Sequence, residues 1–128
     1  MKKLQNFSEY AYAALRFMSG WMFAAHGASK MHGAFTAGAP AIGSQIWIGG
    51  VIELVGGLMI ALGFRTRWAA FLCSGTMAVA YIQFHWKLQL NSVFFPSVNK
   101  GELAALYCFL FLYIACRGAG KFSLGPKD

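Results

Sequence analysis

The chain has 128 residues, 58% of them hydrophobic and only 12% charged, with twelve Phe, four Trp and a mean hydropathy of +0.51. A soluble domain of this length carries roughly 25% charged residues, so the composition predicts a single integral membrane domain over residues 1–128, with its core formed between helices in lipid. The formal charge of +7 does not indicate a nucleic-acid partner, because the Lys and Arg sit singly at the ends of apolar segments, where they act as topology signals and form no phosphate-binding patch.

The basic start MKKLQNFSEY leads into an apolar stretch that is interrupted by Arg16 and runs too long for a signal-peptide core, so the first helix is expected to remain in the membrane. A spanning helix needs about 20 mostly apolar residues. Four segments approach this, at about 8–28, 45–63, 68–88 and 102–116, and predict an all-α bundle of four transmembrane helices. AFTAGAPAIGS, after the first span, reads as a loop or re-entrant turn. GFRTR is the tight connection and predicts that spans two and three pack as an antiparallel hairpin, whereas NSVFFPSVNKG supplies Pro96, Asn99 and Gly101 as turn residues before the fourth span. In GGVIELVGG, residues 49–57, paired glycines recur around Glu53 and predict that span two lies at the centre of the bundle, approached closely by a neighbour.

Charge asymmetry sets the orientation. Lys2, Lys3, Arg65, Arg67, Arg117, Lys121 and Lys127 flank one side; Lys30, Lys87 and Lys100 flank the other. The excess predicts that both termini lie in the cytoplasm, with the loops after spans one and three outside, in a bacterial inner membrane. Tyr10, Trp47, Trp68 and Trp86 fall where interfacial anchors belong.

Two ionisable residues lie deep within spans. Counting from the cytoplasmic ends, Arg16 is about 12 Å and Glu53 about 15 Å in, at about 1.5 Å per residue. A lone charge at mid-bilayer costs at least about 2.5–3.5 kcal/mol, so each needs a partner or a wet cavity. Either they pair with each other and fix helix register, or Glu53 is a proton acceptor or ligand contact in a polar interior. A second polar group gathers at the outer mouth. His26 and Lys30 end span one and share a helix face, Gln83 and His85 end span three, and Asn99 and Glu102 begin span four. The candidate ligand-binding set is therefore His26, Lys30, Glu53, His85, Glu102 and Arg16. His26, His85 and Glu102 together have the chemistry of a metal site, but no single helix carries ligand spacing, so metal and haem rank below a small polar ligand. His32 reads as a loop residue. Cys73, Cys108 and Cys116 have no Cys-x-x-Cys spacing, and no nucleotide fingerprint or nucleophile–base triad is present.

LRFMSGWMFAAHGASKMHG, GGVIELVGGLMIALGFRTRWAA, NKGELAALY and RGAGKFSLG resemble, nearly end to end, the DoxX family of small four-helix bacterial membrane proteins. By this likeness His26, Gly27, Lys30, Glu53, Gly57, Thr66, Arg67, His85 and Glu102 fall on characteristic positions. The resemblance implies association with quinol oxidase or thiosulfate:quinone oxidoreductase complexes, or with membrane thiol and oxidative-stress systems. Without an outward-facing cysteine pair or several axial histidines, the expectation narrows to an accessory subunit of a membrane redox assembly that binds a quinone headgroup or another small polar ligand. Its partners would be lipid and other redox subunits or a second copy. A small transporter or lipid-handling bundle and a purely structural subunit locked by Arg16–Glu53 are the alternatives.

Overall fold

The computed structural model describes residues 2–33 and 38–125; Ala34–Ala37 of the loop after the first span, and Lys127 of the charge count, lie outside the described residues. Within them every regular element is helical. A short α1 (Lys2–Gln5) precedes α2 (Ser8–Met31), α3 (Gln45–Leu62), α4 (Thr66–Ala80), α5 (Pro96–Asn99) and α6 (Glu102–Arg117). The four long helices fall on the four expected segments. The third changes character: α4 ends at Ala80, and the chain continues as a π-helical segment, Tyr81–Trp86. Among the described helices, α3 is the one that is long and apolar enough to cross a membrane on length and composition. The others are diluted or short, since α2 contains Glu9, Arg16 and Lys30, and α4 and α6 have 15 and 16 residues.

Local signals set the ends of α3. The Ser44 side chain accepts from the Trp47 amide at 3.2 Å, which satisfies one orphan N–H, and Gly63 stops the helix in the left-handed region at φ 73°. The tightest packing joins α2 to α3 and α4 to α6, while α3 and α4 approach each other less closely. Glycine explains the first seam: a Cβ on Gly57 would stand 2.5 Å from the Ala24 nitrogen and 2.6 Å from the Gly20 oxygen, so backbone lies on backbone. The close approach expected at the glycines around Glu53 is present, with α2 rather than α4 as the neighbour that makes it. The fused centre is apolar, with Phe23 of α2 edge-on to Phe111 and tilted against Tyr107 of α6.

The polarity of the bundle is inverted. Arg16, Ser19, Glu53, Thr66 and Ser74 are buried, whereas Trp21, Phe71, Leu106 and Phe109 are more than half exposed. Apolar side chains cover the outside of α2, α4 and α6, a surface that suits lipid.

At the end that carries both chain termini, two arginines close the structure. Arg16, 1% exposed, donates through Nη1 to the carbonyls of Ile60 and Ala61 at 2.7 and 2.9 Å, and through Nη2 to those of Lys121 and Phe122 at 3.2 and 3.0 Å. It thus places a cation at the negative end of α3 and ties down the segment after α6. That segment also donates from the Leu124 and Gly125 amides to the carbonyls of Leu62 and Gly63. Arg67, from the tight turn, does the same for α6 by donating to the carbonyls of Ala115 and Cys116. Arg117 pairs with Glu9 and lies 4.1 Å over the Tyr12 ring. Arg67, which sequence alone marks as a topology signal, thus also serves as a helix cap.

Candidate functional site

Arg16 and Glu53 do not meet. The α2–α3 seam sets Gly57 beside Gly20 and Gly50 beside Gly27, so Arg16 is level with the last turn of α3 and Glu53 lies about 12 Å further along, at about 1.5 Å per residue. Depths counted separately from each helix end hide this offset, because α2 overhangs α3 at the terminal end. The register-lock pairing is therefore corrected: Glu53 pairs with Lys30, and Arg16 donates to carbonyls through both terminal nitrogens, with its buried Nε left without a partner.

Lys30 lies in the last turn of α2, where a cation suits the helix dipole, and its Nζ donates to Glu53 Oε1 at 2.5 Å. The two partners differ in environment. The Lys30 side chain is 30% exposed and that of Glu53 is 2%. Glu53 Oε2 is buried with no hydrogen-bond partner, an arrangement that costs about 1–3 kcal/mol or more for a charged acceptor.

Two cavities meet at this pair. The larger, about 700 Å³, lies between α3 and α4 and is lined by Lys30, Gln45, Glu53 and His85 among Ile52, Phe71, Leu72, Val79 and Phe84. Phe71, Leu72 and Phe84 are more than half exposed, so the cavity is open on the apolar outer surface. It exists because α3 and α4 are the loosely joined neighbours, and Gly49 and Gly75 in its wall carry no side chain to fill it. The smaller, about 330 Å³, lies between α2, α4 and α6 and is lined by His26, Lys30, Glu53, His85, Lys100 and Tyr107 with Phe23 and Met77.

The structure brings four of the six candidate residues together: His26, Lys30, Glu53 and His85. His85 lines both cavities, and its Nδ1 lies 3.1 Å from the Asn99 carbonyl, which fixes the ring from the loop before α6. Arg16 belongs to the opposite end. Glu102 is exposed and lines neither cavity, because the inward stripe of α6 is Ala104, Tyr107, Phe111 and Ile114, and position 102 falls on the opposite face. The polar lining residues outside the sequence candidates include Gln45, Lys100 and Tyr107. Tyr107 was legible as part of that stripe; Lys100, read as an interfacial cation, reaches the rim only because it closes the loop beside His85. His32 is exposed, as a loop residue should be, with its ring on the Ala28 carbonyl. Among the described residues no group of three His, Cys, Asp or Glu is placed to hold a metal. Cys73, Cys108 and Cys116 are free thiols.

A helical bundle with an apolar exterior, an ion pair whose carboxylate is buried and a cavity open to its apolar flank defines a membrane-protein class. The chain belongs to the DoxX family of small membrane proteins, whose model matches residues 11–86, a range that contains Lys30, Glu53 and His85 but not Glu102. It is 41% identical over 131 residues to an uncharacterized protein of Haemophilus influenzae, with 99% of this chain and 97% of that protein covered. No solved structure matches.

Proposed function

We propose that the protein is a four-span component of a bacterial inner membrane, with both ends in the cytoplasm, that serves a membrane redox system as an accessory subunit by holding a quinone-type headgroup at the Lys30–Glu53 pair. The observation that carries this reading is the half-satisfied Glu53: a carboxylate 2% exposed, bonded through one oxygen only, facing cavities lined by His26 and His85. An intramembrane charge kept incomplete is expensive, and such residues are typically functional. The larger cavity has the size of a small-ligand site, and its apolar walls suit a ligand that arrives from the bilayer. Arg65, Arg67, Arg117 and Lys121 at one end, against Lys30, Lys87 and Lys100 at the other, support the orientation. Other redox subunits, or a second copy, would pack on the exposed apolar faces.

The test is complementation. Membranes from a strain lacking the protein are assayed for quinone-dependent electron transfer after restoring the wild type, Glu53→Gln or His26→Ala at matched levels. The expected result is rescue by the wild type alone; full rescue by both variants overturns the reading.

A further inference from the structure

We infer that the site selects its ligand by hydrogen-bond polarity: it takes a neutral, hydroxyl-bearing headgroup on an apolar tail, so that of a quinone couple it holds the reduced hydroquinone in preference to the oxidised quinone. The inference rests on the quinone-site reading above and adds the redox state that binds.

The buried group of this site that lacks a partner is an acceptor. Glu53 Oε2 is buried and unpartnered, and an ionised carboxylate accepts only. His85 Nδ1 lies 3.1 Å from the Asn99 carbonyl, and because a carbonyl cannot donate, Nδ1 carries a proton; in that tautomer Nε2 is left to accept. Lys30 is the donor of the group, but one proton is spent on Oε1 and its 30% exposure lets the others reach water, so it makes no unmet demand. A hydroquinone brings two hydroxyl protons, one for Oε2 and one for the imidazole. An oxidised quinone brings carbonyl oxygens alone and would seal Oε2 away from any donor. The charges lining the larger cavity, Lys30 and Glu53, cancel. A phosphate or carboxylate headgroup therefore finds no surplus cation there and meets the Glu53 charge. The tail leaves between α3 and α4, along Phe71 and Leu72.

The full chain in lipid nanodiscs is titrated anaerobically by equilibrium dialysis with a decyl-tailed benzohydroquinone, the matching benzoquinone and decyl phosphate. The hydroquinone is expected to bind about tenfold or more tightly than the quinone, the worth of one hydrogen bond to a charged acceptor, and decyl phosphate more weakly than either. Glu53→Gln, whose amide can donate, should narrow the ratio to about threefold or less by strengthening the quinone. The wild-type ratio decides the matter even if that variant fails to fold. Equal binding of the two ring ligands, or preference for the quinone, overturns the inference and leaves the quinone site standing. Tighter binding of decyl phosphate overturns the neutral headgroup. Binding of neither ring ligand overturns the quinone site itself.

Discussion

The two ends of the bundle handle buried charge in opposite ways. At the terminal end Arg16 spends both terminal nitrogens on four carbonyls, and Arg67 caps α6 in the same manner. At the other end Glu53 has one partner, its second oxygen has none, and space opens on both sides of the pair. Arg16 Nε is also buried without a partner, beside a cavity of about 340 Å³, but four carbonyls hold the two terminal nitrogens, and a cation tied in this way to the end of one helix and to the segment after another acts as a structural device. Glu53 instead has a whole carboxylate oxygen unmet where two cavities meet and is held by one side chain, at a cost in stability that packing elsewhere must supply, and this marks it as the site and Arg16 as the lock.

Breaking the carbonyl-capped end should have the largest effect on stability. Arg16→Leu strips four carbonyls of their donor and releases the segment after α6, and is expected to cost about 3 kcal/mol or more, since four hydrogen bonds to a charged donor are lost and water can replace some of them. Denaturant unfolding in mild detergent measures it, and a loss below about 1 kcal/mol would mean the cap is ornamental. Next comes the seam that joins the two ends. In Gly57→Ala the new Cβ meets the Ala24 and Gly20 backbone, which cannot swing aside as a flexible side chain would, so α2 and α3 must separate at an expected cost of about 1–3 kcal/mol. Gly49→Ala on the same helix meets nothing within 4 Å and should be nearly neutral in the same assay.

Glu53→Gln sharpens the comparison from the other side. Removing a buried charge whose partner can reach water should leave unfolding within about 1 kcal/mol of wild type while it abolishes the redox phenotype. If it unfolds the protein as Arg16→Leu does, the two ends are alike and the functional reading of the open end fails.

The helices were legible because period, length and punctuation agree along each segment, and Ser44 and Gly63 bound α3 as local rules require. His26 and Lys30 were legible as one helix face. The Lys30–Glu53 pairing was not, because which charge meets Glu53 depends on how far α2 overhangs α3. That offset is set by the glycine seam and the strap over Arg16, both long-range. Tyr107 was legible from the stripe it shares with Phe111 and Ile114, had α6 been read for facing as well as for depth.

The smallest expected effect tests that last point. Glu102 begins α6 near the site, and its depth, its carboxylate chemistry and the family likeness placed it among the candidates, but the α6 stripe turns it outward and it is exposed. Glu102→Gln should therefore change hydroquinone affinity less than about twofold, whereas Tyr107→Phe, on the inward face and lining the smaller cavity, removes a hydroxyl from the wall itself. A screened charge on the far side of a helix acts weakly in water and across a headgroup layer, so a tenfold loss in Glu102→Gln would require α6 to rotate when ligand binds. Dialysis of these two variants beside Glu53→Gln separates proximity in depth from a shared cavity wall.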